Sequence, residues 1–234
     1  MNADLRRTGP ALALLLALGV WHSSAGAAAL EALVLDQNGV GLEHAVVSLH
    51  GDAPSSAPPG TRATMDQRAR QFEPTVVALQ AGTDVYFPNS DDVRHHVYSF
   101  SHPNAFELKL YHGEESRPVR FDEAGIVALG CNIHDGMVGF LQVVDTPFFA
   151  KSDASGETLV TGMPSGAWTL QVWHPDLGIR YVRRDIDVAE NGSRIVVRLD
   201  AAAVDGATLA AARPGTPPAE DPLSEELRSL FRSD

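Results

Sequence analysis

Residues 121–144 read FDEAGIVALGCNIHDGMVGFLQVV. Two apolar runs, 125–129 and 138–144, flank a short loop of glycine and polar residues. That is the pattern of a strand, a tight connection and a returning strand. The loop holds the one cysteine of the chain, Cys131, with His134 three residues on and Met137 three beyond that. Side chains alternate along a strand, so Val127, Leu129 and Cys131 share a side. The thiol is therefore expected to enter one end of a sheet core, where the loop folds His134 and Met137 back towards it.

These donor types limit the chemistry. A thiolate with imidazoles suits copper or zinc. Two histidines, a cysteine and a distant methionine are the pattern of a blue-copper electron-transfer centre. Zinc prefers a stronger fourth ligand than methionine. The second imidazole has to come from another strand, and DDVRHHVYSF (91–100) places His95 and His96 at the start of one. Alternation separates the two onto opposite faces without saying which face is the metal's, so either can complete the set. His44, His50, His102, His112 and His174 have no such neighbours and read as structural or surface groups. A cysteine alone would read as a small core residue. Four ligands of three types, two histidines with Cys131 and Met137, favour one bound copper.

The ends of the chain have their own patterns. Arg6 and Arg7 precede the apolar run ALALLLALGV (11–20), too short to span a bilayer comfortably, and Ala25-Gly26-Ala27 follows. This reads as a cleavable secretory leader over 1–27, hence a periplasmic or secreted protein without a membrane span in its mature part. Export makes a single cysteine informative, because a free thiol in an oxidising compartment needs burial or a ligand. The net charge of −12 argues against nucleic acid as a partner. It suits solubility or a basic protein partner, with Asp91 and Asp92 as steering charges. From 201 to 234 the chain is rich in alanine and proline, a flexible tail. Within it Leu223, Leu227, Leu230 and Phe231 have the spacing of a short amphipathic helix.

Residues 28–200 read as all-β in two nested blocks. The outer block starts at 28–52 with two strands joined at Asn38-Gly39 and resumes over 148–200. There Asp153…Gly156 and Pro164-Ser165-Gly166 mark turns, and Trp168, Leu170 and Val172 alternate with Thr169 and Gln171. YVRRDIDV (181–188) and RIVVRL (194–199) supply two more strands. The segment GDAPSSAPPGTRA (51–63) reads as a linker. The inner block, 62–147, adds two strands around Ala81-Gly82 in FEPTVVALQAGTDVYFPN (72–89).

On these motifs the inner block resembles the cupredoxins of the plastocyanin and amicyanin group. The match runs F-x-P…G-x-x-V-x-F-x-N, then H-x-V, then C-x-x-H-x-x-M-V-G, with amicyanin's short loop. The resemblance implies a Greek-key β-sandwich with His95, Cys131, His134 and Met137 as ligands of a type 1 copper. It departs from the pattern at His96, where asparagine is usual, which leaves His96 as an alternative ligand. The imidazole that does not bind is expected to hydrogen-bond the Cys131 loop. The outer block resembles the carboxypeptidase-regulatory-like or transthyretin-like sandwich, a small immunoglobulin-like module that is usually a spacer or a binding module. Proteins labelled methylamine-utilisation proteins look similar across both blocks.

The resemblance implies an electron carrier that exchanges electrons with a redox donor and acceptor. Electrons would pass through the exposed edge of His134, with Gly136, Val138 and Gly139 as an apolar docking surface. Periplasmic copper binding and delivery, and a non-redox β-sandwich interaction module, are the alternatives. Enzymatic catalysis is disfavoured, because the H-x-H and H-C-H patterns of a second copper centre are missing from the sequence.

Overall fold

The computed structural model describes residues 27–113 and 117–200. The leader expected over 1–27, apart from Ala27, and the tail from residue 201 lie outside them. The described chain is all-β, with one 3-10 turn at Pro175–Leu177 and no α-helix. No helix among the described residues is long and apolar enough to cross a membrane. The strands are β1 (Ala28–Leu35), β2 (Val46–His50), β3 (Arg62–Thr64), β4 (Asp66–Arg68), β5 (Gln71–Glu73) and β6 (Val76–Gln80). Next come β7 (Thr83–Tyr86), β8 (His95–Ser99), β9 (Phe106–Tyr111), β10 (Val119–Phe121), β11 (Gly125–Gly130) and β12 (Val138–Val144). The last are β13 (Phe149–Lys151), β14 (Glu157–Met163), β15 (Gly166–Trp173), β16 (Val182–Val188) and β17 (Ser193–Arg198).

Two sheet pairs enclose two cores. The sheets β14-β1-β17 and β13-β2-β15-β16 close over Leu30, Val34, Val47, Leu49, Leu170 and Val172. The expected strand of alternating residues is β15, and its Trp168, Leu170 and Val172 are buried. The sheets β10-β7-β3 and β6-β12-β11-β8-β9 close over Met65, Phe72, Phe87, Phe121, Leu129 and Leu141. Cys131 and Met137 belong to this second core.

Two expected strand pairs prove to be crossings between sheets. β1 pairs with β14 and β17, whereas β2 pairs with β13 and β15. The Asn38-Gly39 turn, secured by the Asp36 carboxylate on the N–H groups of Asn38 and Val40, brings Gly41 and Leu42 back beside Leu35 and Val34, and the chain crosses to the other sheet only over 43–45. Likewise β6 and β7 lie in different sheets across Gly82. Their apolar faces explain this. Each strand buries a face on the common core, which an isolated two-stranded ribbon cannot do. The 51–63 linker is pinned in place: Ala57 N–H donates to Ala81 O at 2.6 Å and Gln80 Nε2 to Pro54 O at 2.7 Å.

The five-stranded sheet is covered on both faces. Its inner face meets β10-β7-β3, and on the outer side Ala78, Ile126 and Phe140 pack with Val46, Trp173 and Tyr181 of the other sheet pair. Phe140 and Trp173 meet edge to face with centroids 5.8 Å apart, a contact worth about 0.5–1.5 kcal/mol beyond its buried area. Lys151 Nζ donates to Val76 O at 2.9 Å, and Gln142 Nε2 to the Tyr181 hydroxyl at 3.0 Å. Burial on two sides accounts for the nearly unbroken apolar runs of β11 and β12.

Candidate metal centre

The site is built where β11 and the loop that follows it meet β8. β11 and β12 pair in register from Gly125↔Val143 to Gly130↔Val138, so their connecting loop stands at the end of the sheet. Met137 N–H closes a turn onto His134 O at 3.2 Å, and its third position is Gly136 at φ 83°. A residue with a Cβ is strained at that angle, which is why a glycine stands there. Gly139 is needed for a different reason. A Cβ there would lie 2.8 Å from Cβ of Phe72, the buried side chain of β5 that packs across the root of the loop.

Three side chains converge. Cys131 Sγ lies 3.6 Å from His134 Nδ1 and 3.8 Å from His95 Nδ1, and the two Nδ1 atoms are 3.0 Å apart. Among the described residues this is the one group of three or more histidine, cysteine or acidic side chains whose ligand atoms gather within metal-binding reach, all within 4.8 Å of one another. His95 is wholly buried, Cys131 and Met137 nearly so, and His134 partly open. The thiol has no disulfide partner. Partial burial, then the neighbouring His95 and Arg70, lowers the His134 pKa against the opposing pull of Asp91. The neutral imidazole is the form that binds a metal.

The spacing suits one ion. First-row bonds of about 2.0 Å to nitrogen and 2.3 Å to sulfur, in a trigonal plane, would separate the donors by about 3.5 and 3.7 Å. The observed sulfur–nitrogen separations match this, and the nitrogen pair is slightly closer, as suits atoms sharing a proton.

His96 is placed elsewhere. Alternation turns it to the other face of β8, where Nε2 meets Glu107 Oε1 on β9 at 2.6 Å. It therefore does not brace the Cys131 loop, contrary to the sequence expectation. Its ring instead heads a row with Tyr98 and Phe100, centroids 5.4 and 5.2 Å apart. Of the remaining histidines, His174 caps the 3-10 turn and binds Glu43 O, and His50 bonds Ser48 and Asp145.

Two surface expectations need correction. Asp91 is not a free steering charge. Its Oδ2 accepts from Arg70 N–H at 2.8 Å and contacts His95 Nε2 at 2.9 Å. The Arg70 amide, then the His95 ring, holds its carboxyl down to about 2. Gly139 is buried under Phe72 and offers no docking surface, whereas Ile133, beside His134, is half exposed. The sequence reading passed over Ile133 and Arg70. An acidic residue four positions before a candidate ligand was the available signal for Asp91.

No family model matches the chain, and no curated protein matches it. Among solved structures it is similar to a purple cupredoxin from Nitrosopumilus maritimus, with 20% identity and a TM-score of 0.32 over 35% of this chain and 98% of that one. It is also similar to amicyanin from Paracoccus versutus (Thiobacillus versutus), with 21% identity and a TM-score of 0.32 over 42% of this chain and 96% of the other. Likeness at this level says nothing of what the site does; the side-chain geometry has to carry that.

Proposed function

We propose that His95, Cys131 and His134, with Met137 as a weak fourth ligand, hold one copper ion, and that the protein carries single electrons between two redox partners. The observation that carries this reading is the convergence of one buried thiol and two imidazoles from β8 and the β11–β12 loop within 4.8 Å. A methionine three residues after His134, buried in the same core as Cys131, favours copper over zinc. In such a ligand set copper supplies a one-electron Cu(II)/Cu(I) couple.

The chain's own part is to hold the ligands still. Cys131 and His95 are anchored in a packed core, so little rearrangement opposes the change of charge. Met137 is buried in the same core on the far side of the turn. His134 is the ligand open to solvent, and electrons enter and leave at its edge. Exposed Ile133 and Gly136 flank that edge and provide the contact for a redox protein. Residues 62–147 act as the copper-bearing unit, and 28–52 with 148–200 as the sandwich that presents it. The leader pattern at the N-terminus supports work outside the cytoplasm. This is a carrier rather than an enzyme.

The test is to add Cu(II) to the reduced apo-protein and record its visible and electron-spin-resonance spectra. An intense thiolate-to-copper charge-transfer band that disappears in Cys131→Ala is expected. A colourless cupric complex, or one unchanged in Cys131→Ala, refutes the blue site. Reversible voltammetry without copper loss separates electron transfer from delivery, in which Cu(I) would pass readily to an acceptor.

A further inference from the structure

We propose that Asp91 is a positioning residue that selects the His95 tautomer, keeping the ring proton on Nε2 so that the Nδ1 lone pair faces Cys131 and His134. Its importance to copper rests on the function proposed above; the tautomer itself does not. The contact is His95 Nε2 to Asp91 Oδ2 at 2.9 Å, on a ring fully shut off from water. A carboxylate oxygen only accepts, and a neutral imidazole has a single N–H to give. The proton at Nε2 therefore leaves Nδ1 as an acceptor. In the metal-free protein the 3.0 Å contact between the two Nδ1 atoms is then a hydrogen bond donated by His134. On loading, His134 is the imidazole that must move its Nδ1 proton, while His95 is already set.

Asp91 is held firmly enough to do this. Its backbone N–H donates to Asn89 Oδ1 at 3.0 Å, and buried Asn89 donates in turn to Val93 O and Tyr111 O. The same Oδ2 that meets His95 accepts the Arg70 backbone N–H at 2.8 Å. Arg70 and Ala69 form the tip of the β4–β5 hairpin at φ 59° and 48°. Two successive positive φ values suit a tight hairpin turn but are uncommon without glycine or asparagine. The turn aims the Arg70 amide at Asp91, so the support runs from hairpin tip to carboxylate to ligand. Hydrogen-bonded carboxylates behind metal-binding histidines commonly fix ring orientation in this way.

The experiment measures imidazole 15N shifts of the reduced apo full chain, then the reduction potential of its copper-loaded form. In the parent protein His95 should show one tautomer, protonated at Nε2. Asp91→Asn keeps an oxygen able to accept both N–H groups, so the tautomer should persist. Loss of the negative charge should lower the Cu(II)/Cu(I) binding ratio about tenfold, which raises the one-electron potential by about 59 mV. Asp91→Ala should give mixed tautomers at His95. An unchanged single tautomer in Asp91→Ala overturns the proposal, and an unaltered potential in Asp91→Asn overturns its importance to copper. If Asp91→Ala does not fold, His95 protonated at Nδ1 in the parent or in Asp91→Asn overturns it equally. A parent protein with the expected tautomer but no charge-transfer band would instead sink the copper reading and leave the positioning role standing.

Discussion

Replacing His95 and His96 one at a time by alanine tests the site most directly, because the two are neighbours in sequence and separated by a sheet in space. His95 Nδ1 lies 3.8 Å from Cys131 Sγ and 3.0 Å from His134 Nδ1. His95→Ala removes one of three strong donors. Losing a partner of a ligand commonly costs about 10–100-fold in metal affinity, and losing the ligand itself should cost more than that range. The blue absorption should disappear. His96→Ala touches none of these atoms. It breaks the 2.6 Å contact with Glu107, whose side chain is 25% exposed and regains water. The loss should be about 1 kcal/mol, the low end for a stranded polar partner, or about 2–4 °C in melting temperature for a protein of this size. Copper affinity should stay within tenfold of the parent. Copper titration followed by absorption, with thermal unfolding of the apo forms, reads both effects. A blue His95→Ala protein, or a colourless His96→Ala protein that is folded, would refute the assignment.

The frame around the site makes further claims. Gly139→Ala should destabilise the protein by about 1–3 kcal/mol in chemical denaturation, because the new Cβ meets Phe72 at its rigid root rather than its tip; an unaffected midpoint would show that Phe72 gives way freely. Leu170→Ala, fully buried in the other core, should cost about 2–5 kcal/mol and leave the copper spectrum unaltered. A changed spectrum would mean that the two cores are coupled. Hydrogen bonds from Ser155, first its hydroxyl and then its amide, hold the Asp153 carboxyl below its ordinary range. A depressed folded pKa contributes stability that is complete above the ordinary carboxylate value near 4 and is lost as pH falls through the folded value. Asp153→Asn should therefore be less stable than the parent at neutral pH, and the two should converge in acid unfolding once the pH has fallen through the depressed folded value.

Much of the centre was legible in the linear chain because its decisive contacts are local. Cys131, His134 and Met137 lie within seven residues of one another, and β11 and β12 pair directly across the loop that carries them. Alternation within β15 was readable for the same reason, since Trp168, Leu170 and Val172 face one core. The three-residue strands β3, β4, β5 and β10 were not readable, nor was the edge strand β9. Three residues are too few to show a period, even where one of them, Phe72 or Phe121, is buried in the core. Strands β1 and β2 looked like a hairpin because a turn sequence joins them, and a turn does not state whether the chain returns beside itself or crosses to another sheet.

By itself, then, the sequence settled which chemistry was possible: a lone thiol with an imidazole and a thioether at fixed spacing, on a strand pair whose apolar runs demand burial. Which of His95 and His96 stands beside Cys131 belonged to the tertiary structure. Alternation guarantees that the two point apart, but only the packing of β8 against β11 decides which face is inside. The same holds for Asp91 and Arg70. Their distances to His95 depend on how a hairpin tip and a loop from separate parts of the chain are brought together, and no local pattern encodes that.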